Sequence, residues 1–139
     1  MHILYVEDSI ETARALKKLL ERHGHRVDLA HTGRDAKALC TQIVFDLLVI
    51  DLGLPDFHGG DLLRTLRRMC DTRAIAISGY GRSQDIEEAK DDGFDAYLVK
   101  PVSLDIILDT INRFNQGAGV PTPMIQAGDP FSASNVNVI

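Results

Sequence analysis

Short apolar runs alternate along the chain with longer segments in which apolar residues recur every three or four positions. The short runs have the length of strands, and the longer segments have the period of amphipathic helices. Ser9, Ser103 and Gly24 stand where helices would begin or end. Because the short runs are nearly continuous and lack in–out alternation, they indicate a parallel sheet that is covered on both faces. The predicted strands span residues 3–6, 27–30, 45–50, 74–77 and 96–99.

Five successive strand–helix units predict a doubly wound α/β domain over residues 1–114. The helical connections between parallel strands are right-handed. Sheets of this kind bind ligands beyond the carboxyl ends of their strands, at the position where the strand order reverses. A functional site is therefore expected among the residues that directly follow the strands.

After Phe114 the pattern of the chain changes. Residues 115–139 are rich in Gly and Pro, contain a single charged residue, Asp129, and have neither a helical nor a strand period. This composition predicts a flexible C-terminal tail or linker. The alternative interpretation is an ordered additional strand.

Four of the five predicted strands run directly into polar residues. Glu7 and Asp8 follow the first strand, Asp51 the third, Ser78 the fourth and Lys100 the fifth. Three carboxylates at one sheet edge repel each other, and a divalent cation such as Mg²⁺, which prefers hard oxygen ligands, removes the repulsion. A lysine and a hydroxyl beside them suit a phosphoryl group that is carried by one of the carboxylates. The pattern therefore predicts a magnesium-dependent site of phosphoryl transfer.

The charge and composition of the chain argue against several other classes of protein. With 15 Lys and Arg against 20 Asp and Glu, the net charge is −5, which disfavours direct binding of nucleic acid. No apolar run approaches the ~18–20 residues that span a bilayer, and the N-terminus has no basic region of a signal peptide. Cys40 and Cys70 are too few for a disulfide framework or a four-cysteine zinc site. We expect a cytoplasmic protein that does not bind membranes.

The residues at the strand ends resemble those of the receiver domain of two-component response regulators. The resemblance extends from residue 1 to about residue 114, with four motifs in the family's order. It implies a flavodoxin-like, five-stranded parallel sheet with the strand order 2-1-3-4-5. The loop after Asp51 and the tail look more like a receiver from a hybrid histidine kinase. The matching motifs are Glu7-Asp8, Asp51-Leu-Gly-Leu-Pro-Asp-Phe-His-Gly59, Ser78-Gly79 and Tyr97-Leu-Val-Lys100-Pro101.

The resemblance implies a role for each acidic residue of the site. Asp51 would accept a phosphoryl group from a histidine kinase or a histidine-containing phosphotransfer protein. Asp8 and Asp51 would bind Mg²⁺ directly, with Mn²⁺ able to substitute, and Glu7 would bind it through a water molecule. The main-chain carbonyl of Gly53 would supply a further ligand.

The resemblance also implies a conformational switch. Lys100 would contact the phosphoryl group, and Ser78 would be drawn towards it, after which the ring of Tyr97 would turn inward. The peptide bond before Pro101 would be cis, which is a conformation open to proline. The signalling surface would comprise the last helices and the fifth strand, from about residue 83 to 111, and a homodimer could form through the same helices.

Two other functions remain open on the sequence. A phosphatase of the haloacid dehalogenase type also forms an aspartyl phosphate, but it needs an acidic residue two positions after its nucleophile to transfer a proton, and this position is Gly53. A degenerate receiver would act only as a docking module, whereas here the acceptor, metal and lysine positions are all filled. We therefore expect a phosphoacceptor signalling module rather than an enzyme.

Overall fold

The computed structural model describes residues 1–115 and 136–138, and its strands form one sheet. Strands β1 to β5 are parallel, in the order β2-β1-β3-β4-β5. The predicted doubly wound fold and its strand order are therefore confirmed. The strands are β1 (His2–Val6), β2 (Arg26–Ala30), β3 (Leu47–Asp51), β4 (Arg73–Ser78), β5 (Ala96–Val99) and β6 (Val136–Val138). The helices are α1 (Ile10–Arg22), α2 (Gly33–Cys40), α3 (Gly59–Leu66), α4 (Ser83–Asp92) and α5 (Leu104–Asn115).

Local hydrogen bonds explain where several helices begin and end. The Oγ atom of Ser9 accepts a hydrogen bond from the N–H of Thr12 at 3.3 Å, and Thr32 Oγ1 accepts one from the N–H of Asp35 at 3.1 Å. Such caps satisfy backbone donors that have no partner in the first helical turn. Helix α4 ends at Gly93, whose φ of +106° is a conformation that residues with a Cβ rarely adopt. The boundaries of these helices thus follow from the capping residues in the sequence.

Two apolar layers hold the helices against the sheet. Because alternate strand residues point to opposite faces, Ile3 packs in the layer with α1 and α5, whereas Leu4 packs in the layer with α2, α3 and α4. All five residues of β3 are buried. Complete burial of a side chain such as Leu48 contributes about 1.5–3 kcal/mol to stability. Strand β3 is therefore a rigid central support for Asp51, its last residue.

Strand β6 differs from the tail that the sequence predicts. It pairs antiparallel with β5, and Asn137 lies opposite Tyr97. Without β6, β5 would leave a row of unpaired N–H and C=O groups at the side of the sheet, and Val-rich segments have the propensity to pair with such a row. The structure corrects the tail prediction at residues 136–138, where the alternative of an additional strand applies. The rest of the predicted tail, 116–135 and 139, lies outside the described residues.

The described residues also bear on membrane spans and on cysteine chemistry. Within residues 1–115, none of the helices combines the length and the apolar character that a transmembrane span needs. Cys40 and Cys70 are both free thiols. Burial, with a smaller contribution from Cys70, raises the pKa of Cys40 to about 11. The Cys40 thiol therefore stays protonated at neutral pH, as is typical of a packing residue.

Candidate functional site

The carboxyl ends of four parallel strands meet at one edge of the sheet and carry the residues that the sequence singles out. Glu7 and Asp8 follow β1, Asp51 and Ser78 are the last residues of β3 and β4, and Lys100 follows β5. Because β3 lies between β1 and β4, Asp51 stands near the centre of this edge. The fold thus brings together polar residues that long helical segments separate in the sequence.

Three acidic residues form a compact cluster at this edge. One carboxylate oxygen from each of Glu7, Asp8 and Asp51 lies within 4.8 Å of the other two. Glu7 and Asp51 are only 2% and 3% exposed, whereas Asp8 is open to solvent. Hard oxygen ligands at this spacing, with access from one side, fit a divalent cation such as Mg²⁺ that retains some of its water.

Glu7 is held in place by its neighbours in the chain. The hydroxyl of Tyr5 donates a hydrogen bond to Glu7 Oε1 at 3.4 Å, and the N–H of Ser9 donates one to Oε2 at 3.2 Å. Burial, followed by hydrogen bonding to the carboxyl groups of Asp51 and Asp8, raises the pKa of Glu7 to about 7. A cation placed among the three carboxylates would favour the ionised form of Glu7 instead.

Lys100 supplies the positive charge of the site. Its Nζ lies 2.7 Å from Asp51 Oδ2 and 3.9 Å from Glu7 Oε1. Burial alone would lower the pKa of Lys100, but the hydrogen bond to Asp51 and the charges of the acidic residues outweigh burial and raise the pKa. The other oxygen, Asp51 Oδ1, accepts a hydrogen bond from the N–H of Gly53 at 2.8 Å. Both oxygens of Asp51 are thus oriented, which suits a nucleophile that must approach phosphorus in line.

Ser78, Tyr80 and Tyr97 form a chain of hydrogen bonds beside the acidic cluster. The N–H of Tyr80 donates to Ser78 Oγ at 3.1 Å, and the hydroxyl of Tyr97 donates to the main-chain oxygen of Tyr80 at 2.5 Å. The ring of Tyr97 is fully buried, and burial raises the pKa of its hydroxyl, so the donated proton stays in place at neutral pH. The ring of Tyr97 is thus directed inward in this structure, and its movement upon phosphorylation stays a prediction.

The remaining residues that the sequence singles out lie at the same edge. The Lys100–Pro101 peptide bond is cis, in agreement with the resemblance. The N–H of Lys100 donates to the main-chain oxygen of Ser78 at 2.8 Å, which joins the ends of β4 and β5. Gly53 contacts Asp51 through its N–H, and the role of its carbonyl as a metal ligand stays a prediction.

Open space flanks the acidic cluster on both sides. A cleft of about 310 Å³ lies towards α4, and its lining includes Asp51, Ser78, Tyr80 and Lys100. A groove of about 720 Å³ runs along α1 and the start of α5, and its lining includes Glu7. A phosphoryl group and the side chain that donates it can therefore approach this edge without the unfolding of a helix.

Two histidines make contacts that the sequence analysis does not assign. His31, directly after β2, donates from Nδ1 to the main-chain oxygen of Glu7 at 2.9 Å and so fastens the Glu7–Asp8 turn to β2. His58 Nδ1 accepts a hydrogen bond from the N–H of Gly60 at 3.2 Å and caps α3. The place of His31 after a predicted strand is the signal that could have identified it, because every strand end reaches the same edge.

Comparisons with known proteins agree with this geometry. The family model of the response regulator receiver domain matches residues 3–112. The chain is 32% identical over 134 residues to the transcriptional regulatory protein KdpE of Mycobacterium tuberculosis. This match covers 94% of this chain and 59% of KdpE. It is 34% identical over 118 residues to protein PilH of Pseudomonas aeruginosa, covering 83% of this chain and 98% of PilH. The chain thus spans about three fifths of the length of KdpE and nearly all of PilH.

Solved structures show the same fold. The receiver domain of the Francisella response regulator 1452 matches with a TM-score of 0.79 and 28% identity, over 84% of this chain and 97% of that chain. A Burkholderia pseudomallei response regulator with a phosphorylated aspartic acid, a calcium ion and citrate matches with a TM-score of 0.73 and 27% identity. This match covers 90% of this chain and 76% of that chain.

Receiver domains bind Mg²⁺ at an acidic pocket and interact with histidine kinases or phosphotransfer proteins in two-component systems. They are generally signalling domains rather than enzymes. The cluster of Glu7, Asp8 and Asp51 is an acidic pocket at the expected edge of the sheet. Because the strand order, this pocket and the family match all agree, the chain belongs to the response regulator receiver domain family.

Proposed function

We propose that Asp51 of this receiver domain accepts a phosphoryl group from a histidine kinase or a histidine-containing phosphotransfer protein, in a reaction that depends on Mg²⁺. The observation that carries the proposal is the environment of the Asp51 carboxylate. It is buried, its Oδ2 lies 2.7 Å from the ammonium of Lys100, and two further carboxylates reach within 4.8 Å. A fixed positive charge on one side and a cation pocket on the other suit the formation of an acyl phosphate.

The proposed transfer balances with the groups at the site. An oxygen of the Asp51 carboxylate forms a bond to phosphorus while the phosphorus–nitrogen bond of the donor phosphohistidine breaks. The bonding electrons stay with the imidazole nitrogen, which takes up a proton from water, and Asp51 becomes an acyl phosphate. Lys100, which pairs with Asp51 beforehand, then faces the negative phosphoryl oxygens, so its charge stays compensated.

The metal site of the proposal consists of the residues that the resemblance names. Asp8 and Asp51 would bind the ion directly, Glu7 through a water molecule and Gly53 through its main-chain carbonyl. Burial and the crowding of acidic groups raise the pKa of Glu7, and the donor set fits because a cation would offset the charge of the crowded acidic groups. When bound, Mg²⁺ neutralises the charge of the phosphoryl oxygens, and Mn²⁺, which takes the same oxygen ligands, is expected to substitute.

The proposal extends to the surface that carries the signal. After phosphorylation, the hydroxyl of Ser78 would donate to a phosphoryl oxygen, which changes its contact with the N–H of Tyr80. Because Tyr97 donates to the carbonyl of Tyr80, this change reaches β5 through two hydrogen bonds. The expected output is a population shift of the surface formed by α4, β5 and α5, where a homodimer is also proposed to form.

The proposed module comprises residues 1–114 and has no catalytic turnover of its own. Gly53 lacks the proton-transfer group that a phosphatase of the haloacid dehalogenase type requires two positions after its nucleophile. We propose a cytoplasmic location, where histidine kinases expose their phosphorylated histidine. A net charge of −5 supports a module that binds neither nucleic acid nor membranes itself, although KdpE is named a transcriptional regulator.

Intact mass spectrometry after incubation with acetyl phosphate and Mg²⁺ tests the proposal. The wild-type chain should gain the mass of one phosphoryl group, and EDTA should prevent the gain. Asp51→Asn should abolish the adduct, because an amide cannot form the acyl phosphate. Asp71→Asn is the matched control, since it removes an exposed carboxylate from the loop after α3 and should leave the adduct unchanged.

Three results would contradict the proposal. An adduct that persists in Asp51→Asn would place the phosphoryl group elsewhere. Sustained hydrolysis of phosphate esters would favour the phosphatase alternative. Absence of an adduct both from acetyl phosphate and from a histidine-phosphorylated phosphotransfer domain would favour a docking module.

A further inference from the structure

The outer side of β5 is covered by a segment from the end of the same chain. We call this side, the backbone of Ala96–Val99 that faces away from β4, the β5 edge. Strand β6 occupies it as an antiparallel partner. An uncovered strand edge presents unpaired N–H and C=O groups and is a template for pairing with another chain. The register pairs Ala96 with Val138, Tyr97 with Asn137 and Leu98 with Val136.

The covered edge lies in the middle of the surface that the proposed function assigns to signalling. Strand β5 runs between α4 and α5 in the chain, and Tyr97, whose hydroxyl contacts the β4–α4 loop, pairs with Asn137 of β6. A partner cannot contact the backbone of β5 while β6 is in place. Strand β6 therefore competes with any strand that would bind there.

The length of the intervening chain permits this pairing within one molecule. Helix α5 has 12 residues and runs about 18 Å back along the sheet from the end of β5. Residues 116–135 lie between α5 and β6 and, when fully extended, can reach roughly 65 Å, several times this distance. Because residues 136–138 belong to the same chain as β5, their pairing is intramolecular and does not depend on protein concentration.

The short length of β6 limits the strength of its pairing with β5. Only three residues pair, which is at the lower limit for strands in globular proteins, so few ladder hydrogen bonds hold the segment. A partner with a longer strand or a larger interface can therefore displace it. A weak but tethered strand is the arrangement expected of a competitor rather than of a permanent part of the sheet.

We propose that residues 136–138 act as a reversible strap that covers the β5 edge and excludes a second copy of the chain from it. The strap prevents pairing between the edges of two molecules until it is released. Its relevance to signalling rests on the proposed function, because that proposal assigns β5 to the output surface. The covering of the edge itself does not depend on phosphorylation.

The test uses the full chain with the double substitution Val136→Pro and Asn137→Pro. Alternate residues of a strand direct their N–H groups to the same side. Two consecutive prolines therefore remove one N–H donor on each side of β6, including the side that faces β5. The matched control is Val136→Thr with Asn137→Thr, which keeps both N–H groups and strand propensity. Both pairs of substitutions lie outside the family-matched residues 3–112, so the receiver domain should fold in each variant.

Two measurements without a phosphodonor decide the proposal. In hydrogen exchange, the proline variant should exchange the amides of Ala96 and Leu98 at least tenfold faster than the wild type and the threonine control. The N–H of Asp95 donates towards β4, so the N–H groups of these two residues face β6. In sedimentation velocity over a concentration series, the proline variant should dimerise with a dissociation constant at least tenfold lower. Unchanged exchange would overturn the strap, and faster exchange with unchanged association would overturn its role as a competitor. Because acetyl phosphate is absent, failure of Asp51 to accept a phosphoryl group would leave these results unaffected.

Discussion

Glu7→Gln should stabilise the metal-free protein at neutral and alkaline pH. Glu7 is 2% exposed and lies among two other carboxyl groups. The glutamine amide has nearly the same shape as the protonated carboxyl, and its single oxygen can accept one of the two hydrogen bonds that Tyr5 and Ser9 donate to Oε1 and Oε2. The substitution therefore makes the uncharged form permanent without opening a cavity.

The expected size of the effect follows from the pKa of Glu7. It is raised from 4.5 to about 7, so the folded protein binds this proton more tightly than the unfolded chain does. The contribution of Glu7 to stability is fully present below the unfolded value of 4.5 and is lost as the pH rises through about 7. At 1.36 kcal/mol for each pKa unit, the wild type should lose about 3 kcal/mol relative to Glu7→Gln above pH 7.

Urea unfolding in EDTA, at pH values on both sides of this range, measures the difference. The free energies of unfolding of the two proteins should converge at low pH and separate as the pH rises. Glu87→Gln, on the exposed side of α4, is the control and should show no such separation. If Glu7→Gln is no more stable than the wild type well above pH 7, the account of the crowded acidic pocket is refuted.

Millimolar Mg²⁺ should raise the melting temperature of the wild type, because it binds only the folded state. Asp8→Asn should remove most of this increase in scanning calorimetry, and an equal increase would contradict the proposed metal site. His31→Ala should weaken Mg²⁺ binding several-fold in titration calorimetry by loosening the Glu7–Asp8 turn, whereas His31→Asn, which offers an N–H at a similar place, should retain it. Tyr97→Phe should lower the free energy of urea unfolding by about 0.5–1.5 kcal/mol, because it removes the hydrogen bond to the carbonyl of Tyr80; an unchanged value would mean that this bond adds nothing to stability.

The sequence predicts the sheet and the contents of its functional edge for one physical reason. The carboxyl ends of parallel strands lie at one edge of the sheet. Residues that follow different strands are therefore expected to lie near one another. This rule brings Asp51 and Lys100 to the same edge, where their charged groups are 2.7 Å apart, although long helical segments separate them in the sequence. The capping residue Ser9 and the end of α4 at Gly93 are likewise local signals that need no tertiary information.

Several contacts of the site and of the sheet are not predicted. His31 resembles a solvated loop residue until β2 is placed beside β1, where its Nδ1 meets the main-chain oxygen of Glu7. The role of His58 as the N-cap of α3 also cannot be recognised from the sequence, because serine, threonine, aspartate and asparagine are the usual N-cap residues. Strand β6 is only the alternative interpretation in the sequence analysis, because a three-residue strand in a Gly- and Pro-rich segment has no period and its pairing depends on the open side of β5.

The complete burial of β3 separates Asp51 from the surface that is proposed to contact partners. Asp51 is fixed to a strand with no exposed residue, whereas α4 and α5 carry many solvent-facing side chains. Exchange of those side chains would alter the surface to which the proposed function assigns signalling and leave Asp51 where it is. The module is therefore a suitable starting point for engineered signalling circuits. In these, exposed residues of the helices would be substituted while Asp51 and its neighbours are kept.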